Sequence, residues 1–298
     1  MMWKQSLIAL VMACSLTGCK GGGVDDVVHL ISGLIKLVKL GSSSDSNANA
    51  EQHNFVQAPA PETMTVVPPK YAPEILNATA KTYRSPIKYK KGTPRTIYFD
   101  AEGKLIPAAV KGGYLRQFLG KTADGREVAQ DFYDDGSPQT SPFIFRQGAD
   151  TNSFDSSMTD GWLLNFARSG ELSGVAEYKD GKLFGVSSHY QNQQLVAQMG
   201  NVGDANVIWL LYPNGTVKAQ VTENPKNNNN EILAFREDGS ALGSLRFRIE
   251  GDKPVGAMAL WHSDGRSVES LNDDGKEIGQ QFQAVLKQLP NEVQALEE

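Results

Sequence analysis

Four histidines, two cysteines and a series of Asp–Gly and Asn–Gly pairs are the residues of this 298-residue chain best suited to chemistry. Metal or general-base work needs histidines at a useful spacing, but His29, His53, His189 and His262 are scattered and form no H-E-x-x-H pair. A serine nucleophile would sit in a G-x-S-x-G elbow, and the sequence has none. "DFYDDG" and "SLNDDG" approach the spacing of a calcium loop. With the glycine placed sixth, however, Tyr133 falls at the third position of one, while the other opens on Ser270 and has Gln281 where a closing glutamate belongs. These aspartates are read as turn residues. No carboxylate pair is singled out for acid–base catalysis, so the expectation is a protein without catalytic residues, metal or cofactor.

Cys19 is different, because its context predicts a modification. Lys4 precedes the apolar run "SLIALVMACSL" (Ser6 to Leu16), which is too short to span a bilayer as a mature helix. The run ends in Leu16-Thr17-Gly18-Cys19, which resembles the bacterial lipobox. The resemblance implies a signal peptide over 1–18, cleavage before Cys19 and a thioether-linked diacylglycerol on its sulfur. Lys20, in place of an aspartate, implies sorting to the outer membrane in a two-membrane host, with the chain facing the periplasm. Cys14 leaves with the signal, so the mature chain has no free thiol and no disulfide. It carries 28 basic against 34 acidic residues. A net negative envelope protein is a poor nucleic-acid binder.

The elements that would position a functional surface follow in three zones. In 19–40, Val24, Val27, Val28, Ile31, Leu34, Ile35 and Val38 fall at helical spacing opposite Asp25, His29, Ser32, Lys36 and Lys39. This amphipathic helix either adds a membrane contact to the lipid or packs on protein. Residues 41–70, rich in Ser, Asn, Ala, Gln and Pro, read as a flexible linker. The remainder, 71–298, is long enough for one domain with a sizeable core.

Turn glycines recur through that domain at Gly103, Gly125, Gly136, Gly170, Gly181, Gly215, Gly239, Gly265 and Gly275, most of them preceded by Asp or Asn. Such pairs between apolar runs signal hairpins. Several spacings are short steps of 10 or 11 residues or longer steps of 22 to 26, matching one strand and two strands with their turns. The fold expected is mainly β: an elongated antiparallel β-meander of stacked hairpin repeats.

Four residues before the glycine stand Phe99, Phe132, Phe166, Leu211, Phe235, Trp261 and Leu271, and Trp162 and Trp209 share their phase. That face is expected to be core. The other face holds Tyr98, Asp100, Tyr133, Tyr178, Leu210, Tyr212, Leu260 and His262. Its tyrosines and His262 are the candidate recognition residues, since tyrosine offers broad apolar area with a polar tip.

"YKDGKLFGVSSHYQNQQLVAQ", Tyr178 to Gln198, resembles the MORN-like repeat of bacterial proteins of the YwqK-type antitoxin family. Tyr178, Asp180, Gly181, Lys182, Leu183 and Gly185 match that repeat position by position. Tyr190 heads a degenerate next copy in which Gln193 stands where a turn glycine would be. The resemblance covers roughly Ile97 to Gly279. It implies a stacked-hairpin sheet and a protein that neutralises an envelope-acting toxin or effector, through a protein partner bound to the sheet. The alternative is a structural or assembly-factor lipoprotein of the envelope, and an envelope hydrolase is the third class.

Three segments depart from the repeat. Ser137 to Gly161 is a long Ser/Thr/Asp-rich interruption, read as a loop. "KEIGQQFQAVLKQL" places Ile278, Phe282, Val285, Leu286 and Leu289 on one helical face, with Pro290 as its stop, and this helix is expected to cap the last open strand. From Lys81 to Arg95 there are six basic residues and no acidic one. They form either a lysine-guarded edge strand or a contact for lipid headgroups, anionic glycan or an acidic partner.

Cys19→Ala is expected to block lipidation and leave unprocessed precursor, read by mass spectrometry and membrane fractionation. A variant that matures normally and stays with the membrane would refute the lipobox reading.

Overall fold

The computed structural model describes residues 54–62, 71–227, 229–250, 253–270, 273–294 and 296. The signal, Cys19, the amphipathic helix, His29 and His53 lie outside the described residues. The chain is mainly antiparallel β, a meander in which nearly every strand pairs with its sequence neighbours. The chain forms two compact units, one within Pro68–Gly200, the other within Asn201–Glu297 together with the described segment 54–62.

Residues 54–62 correct the linker boundary. β1 (Asn54–Phe55) pairs in parallel with β16 (Lys253–Leu260), and the chain continues as a strap whose Ala58 carbonyl accepts from Trp261 Nε1 at 2.8 Å. This unit's remaining strands are β12 (Ala205–Leu211), β13 (Val217–Asn224), β14 (Asn229–Phe235) and β15 (Ala241–Glu250), hydrogen-bonded in sequence order up to β16. Two segments cover the two faces of this sheet. The strap lies over Val217, Leu233, Phe235, Ala259 and Trp261. α2 (Asp273–Gln294) presses Phe282 onto the opposite face. Gly243 permits that approach: a Cβ there would come within 2.8 Å of the Phe282 ring.

α2 differs from its expectation in three ways. It runs through Pro290 to Gln294, and Val293 extends the buried face. Proline removes one helical donor without ending a helix already held by tertiary packing. It lies on the sheet face rather than capping the last strand, whose edge is taken by β1. Finally, Gly275 is no turn. It sits in the first turn of α2, where a Cβ would meet the Ser270 carbonyl at 2.2 Å.

The unit within Pro68–Gly200 begins with the short helix α1 (Pro73–Leu76) and comprises β2 (Lys90–Phe99), β3 (Leu105–Ile106), β4 (Tyr114–Lys121), β5 (Glu127–Tyr133), β6 (Phe143–Phe145), β7 (Thr159–Phe166), β8 (Leu172–Lys179), β9 (Lys182–Leu183), β10 (Val186–Gln191) and β11 (Gln194–Val202). Here too both faces are covered. Tyr71, Ala78 and the half-buried Ile75 and Tyr83 pack over Leu164, Phe166, Leu172 and Val175. The expected loop 137–161 contains β6, and its second half folds back over the other face. Phe154 stacks on Tyr114, and Met158 packs against the cluster of Phe118, Phe143, Phe145, Leu163 and Tyr178.

A buried arginine ties that cover down. Arg116 forms a bidentate pair with Asp131 (2.7 and 2.8 Å) and donates from Nη1 to the carbonyls of Thr151 (3.2 Å) and Ser153 (2.7 Å). Four phenylalanine rings (Phe99, Phe143, Phe145, Phe154) lie 5.1 to 5.4 Å from its guanidinium carbon.

Seven hairpin turns share one geometry, with Gly103, Gly125, Gly136, Gly170, Gly215, Gly239 and Gly265 at φ between 76° and 86°. In each, the residue three before the glycine donates its N–H to the carbonyl one after it and accepts the glycine N–H. This is the three-residue turn closed by a left-handed glycine bulge. After three of these turns the register skips one further residue, Ser173, Lys218 or Leu242. Two other turns are two-residue hairpins. Asp180 and Gly181 take φ of 50° and 75°, and Asn192 and Gln193 take 49° and 63°. Gln193 thus does the work of a glycine without being one.

Gln193→Gly is therefore expected to stabilise the protein by roughly 0.5–1 kcal/mol, because glycine alone meets positive φ without strain. Chemical denaturation of the two proteins checks it; a destabilised variant would refute the turn's geometry.

Candidate functional site

The recognition face expected from sequence is not a free surface. Tyr178 is 4% exposed, belongs to the core cluster under the 146–158 cover, and donates its hydroxyl to Ser156 Oγ at 3.1 Å. Burial pushes its phenol up to about 12. Tyr133 is 8% exposed, and Leu210 and Leu260 on the same expected face are buried too. Tyr98 is half-buried between Ile106 and Leu115, and His262 is a half-buried turn residue whose backbone closes the Gly265 hairpin. The periodicity carried no information about what lies above each face, and its phase fails at the first hairpin. Phe99 is opposite Tyr114, which is opposite Tyr133, so Phe99 shares the face of Tyr133 rather than that of Phe132 and Phe166, and Tyr98 takes the other face. The exposed-face assignment of Tyr133 and Tyr178 is corrected accordingly, and Tyr212 is half-buried.

Two of these tyrosines hold successive repeats together. Tyr133, three before Gly136, donates its hydroxyl to the Phe166 carbonyl (2.9 Å), four before Gly170. Tyr212, three before Gly215, donates to the Phe235 carbonyl (3.0 Å), four before Gly239. Arg236, three before Gly239, donates to the Trp261 carbonyl (2.7 Å), four before Gly265. In every case the side chain three before one turn glycine reaches the carbonyl four before the next.

Turn aspartates and an asparagine reinforce the same rim. Asp135, Asn214, Asp238 and Asp264 each accept the N–H of the residue after their glycine, at 2.8 to 3.1 Å. Hydrogen bonds from Ser137 and Ser240 hold Asp135 and Asp238 below the usual carboxylate range, and those from Arg266 do so for Asp264. Protonation removes part of this acceptor strength. The contribution is therefore complete above the ordinary carboxylate range and is lost as pH falls through the depressed values.

The most perturbed reactive group is His189, whose imidazole is pushed down to about 4 by desolvation and is neutral at pH 7. Its Nε2 lies 3.5 Å from Ser187 Oγ. Among the described residues no third group orients the pair, and no three His, Cys, Asp or Glu side chains gather as metal ligands. Glu223, raised by burial and bonded to Asn206, is held without a cation among the described residues. The arrangement does not assemble a nucleophile, base and oxyanion donor.

Exposed aromatics remain. Trp162, expected in the core, is 39% exposed, and Phe184, which the sequence reading did not single out, is 50% exposed. Trp162 pairs across the sheet with Glu177, whose carbonyl accepts the Phe184 N–H at 2.7 Å. Lys179 shares the face of Glu177, two residues along, and its Nζ lies 3.0 Å from the Phe184 ring centroid. Tyr71 meets Trp162 edge-on at 5.8 Å. Together these side chains form an aromatic patch with one carboxylate and one ammonium. Trp162 has the phase of Phe166 but stays partly exposed where Tyr71, in the 71–83 segment that buries Phe166, meets it edge-on, and no sequence signal records how far that segment reaches.

The chain matches no protein-family model and no curated protein.

Tyr133→Phe and Tyr212→Phe are each expected to cost about 1–3 kcal/mol, because each leaves a buried carbonyl without its donor. Thermal or urea unfolding checks this; unchanged stability in both would refute the inter-repeat bond.

Proposed function

We propose that this chain is a non-catalytic, lipid-anchored periplasmic protein that binds a protein partner, most specifically an immunity-type protein neutralising an envelope-acting toxin or effector. The anchoring half of the reading rests on Leu16-Thr17-Gly18-Cys19, and the partner class on the resemblance of Tyr178–Gln198 to the antitoxin repeat. One observation supports binding above all: the exposed Trp162–Phe184 patch, with Trp162 on β7 and Phe184 in the β9–β10 connection tied by its N–H to the Glu177 carbonyl, beside strands whose both faces are otherwise packed. Rigid aromatics on an ordered sheet lose little entropy when covered, and tryptophan is enriched among residues that dominate interface energies. Glu177 and Lys179 within the patch supply polar complementarity at its centre.

This reading seats binding on the patch rather than on the tyrosine face. Partner capture from detergent-solubilised envelopes, identified by mass spectrometry, tests it. Trp162→Ala and Phe184→Ala are expected to weaken capture at least about tenfold while leaving melting nearly unchanged, as exposed positions allow. Undiminished capture by the double variant would overturn the assignment of the patch.

A further inference from the structure

The unit within Pro68–Gly200 ends in an open edge. β3 pairs only with Tyr98 and Phe99 of β2, so the outer side of β2 from Lys90 to Thr96 has no strand beside it among the described residues. Lys88, Lys90 and Lys91 on and just before this edge are exposed and form no ion pair among the described residues, whereas Lys81 and Arg84 sit in the turn beside Gly170 and Arg95 stacks on the Phe118 ring (3.4 Å to its centroid). At the far end of the same edge the chain reads Lys104-Leu105-Ile106-Pro107-Ala108-Ala109-Val110-Lys111. Six apolar residues are bracketed by two exposed lysines, with Leu105 45% and Val110 46% exposed.

This apolar loop is held out, not left loose. At its start the Lys104 N–H donates to Asp100 Oδ1 (2.8 Å). At its end Gly113 N–H donates to the Val110 carbonyl (3.2 Å) and Gly112 N–H to Asp134 Oδ2 (2.7 Å). Gly113 packs so closely that a Cβ would lie 2.3 Å from the Phe99 carbonyl. A pinned loop cannot fold its apolar side chains back onto the sheet.

We infer that this edge is a membrane-contact surface: Leu105–Val110 enters the headgroup region of an anionic phospholipid layer, and the flanking cations pair with lipid phosphates. An apolar insert ringed by lysines fits an interface that is apolar below and negative above. Lys88, Lys90 and Lys91 at one end of this edge and Lys104 and Lys111 at the other present cations along its length, at about 3.3 Å per residue through β2, which suits a flat anionic layer. An added β-strand fits poorly. Pro94 lacks a donor, and the register shift between Lys91 and Arg95 interrupts the ladder. A second copy of this chain would set lysine against lysine.

The contact does not depend on lipidation of Cys19, which would tether the chain to any bilayer alike. Hydrogen exchange of the full chain is compared on vesicles of phosphatidylcholine alone and with about 30% phosphatidylglycerol. Amides of 90–97 and 105–111 are expected to exchange at least about fivefold more slowly on the anionic vesicles. Lys88→Glu/Lys90→Glu/Lys91→Glu should abolish the difference in both segments, and Leu105→Glu/Val110→Glu should abolish it in 105–111. All these side chains are exposed, so both variants should melt like the parent. Equal exchange on the two vesicle types, or a difference that persists in both variants, would overturn the inference. Protection by polyglutamate with none from anionic vesicles would overturn it too, assigning the edge to an acidic polypeptide. Loss of binding to neutral vesicles alone would count against the anchor and leave the anionic difference to be read as before.

Discussion

A backbone carbonyl left over at the end of each strand ladder is the constraint around which this protein is organised. The ladder between β13 and β14 stops at Ala219 and Ala234, and the next carbonyl, on Phe235, points back toward a strand that has already turned away. Phe235 is fully buried, so water cannot satisfy that oxygen. The Tyr212 hydroxyl does. Arg236 repeats the solution at Trp261, and Tyr133 repeats it at Phe166. A hydroxyphenyl or guanidinium group is long enough to bridge from one turn to the next, and it brings its own donor. Side chains that resemble a recognition surface in sequence are thus consumed in holding consecutive repeats in register.

The same accounting explains why each unit is covered on both faces. A two-sided apolar sheet must find two partners, and here each comes from a segment without the repeat pattern: strap and helix for one unit, strap and folded-back loop for the other. The covers are locked by single specific contacts rather than by area alone. Trp261 Nε1 holds one strap through Ala58, and Arg116 holds the loop through Thr151 and Ser153. Removing one member of a buried pair such as Arg116–Asp131 would leave the other charged and enclosed, which is far more damaging than losing a surface ion pair.

What the covers leave outside is what remains available for contact. Trp162 and Phe184 stay exposed, and the apolar loop 105–110 projects from an edge that no long strand closes. Exposed apolar groups on rigid, hydrogen-bonded backbone are informative because the fold had the means to bury their neighbours.

Local chemistry was legible in the sequence wherever it is decided locally. Asn214-Gly215 and Asp238-Gly239 specify bulged turns because a glycine at positive φ and an acceptor one residue before it suffice. The antiparallel meander follows from their spacing, and the amphipathic face of α2 follows from its helical period. Long-range competition decided the rest. Gly275 carries the same Asp–Gly signal, yet it became the first turn of a helix because Ile278, Phe282 and Leu286 gained a sheet to pack on. Gln193 carries no turn signal and adopts positive φ because the paired strands β10 and β11 impose it. Alternation told which residues of one strand share a face, but Phe99 faces with Tyr133 rather than with Phe132, and whether Tyr178 or Trp162 meets solvent depends on where a distant segment lies. That segment's position is set by the sum of many tertiary contacts, which no local pattern encodes.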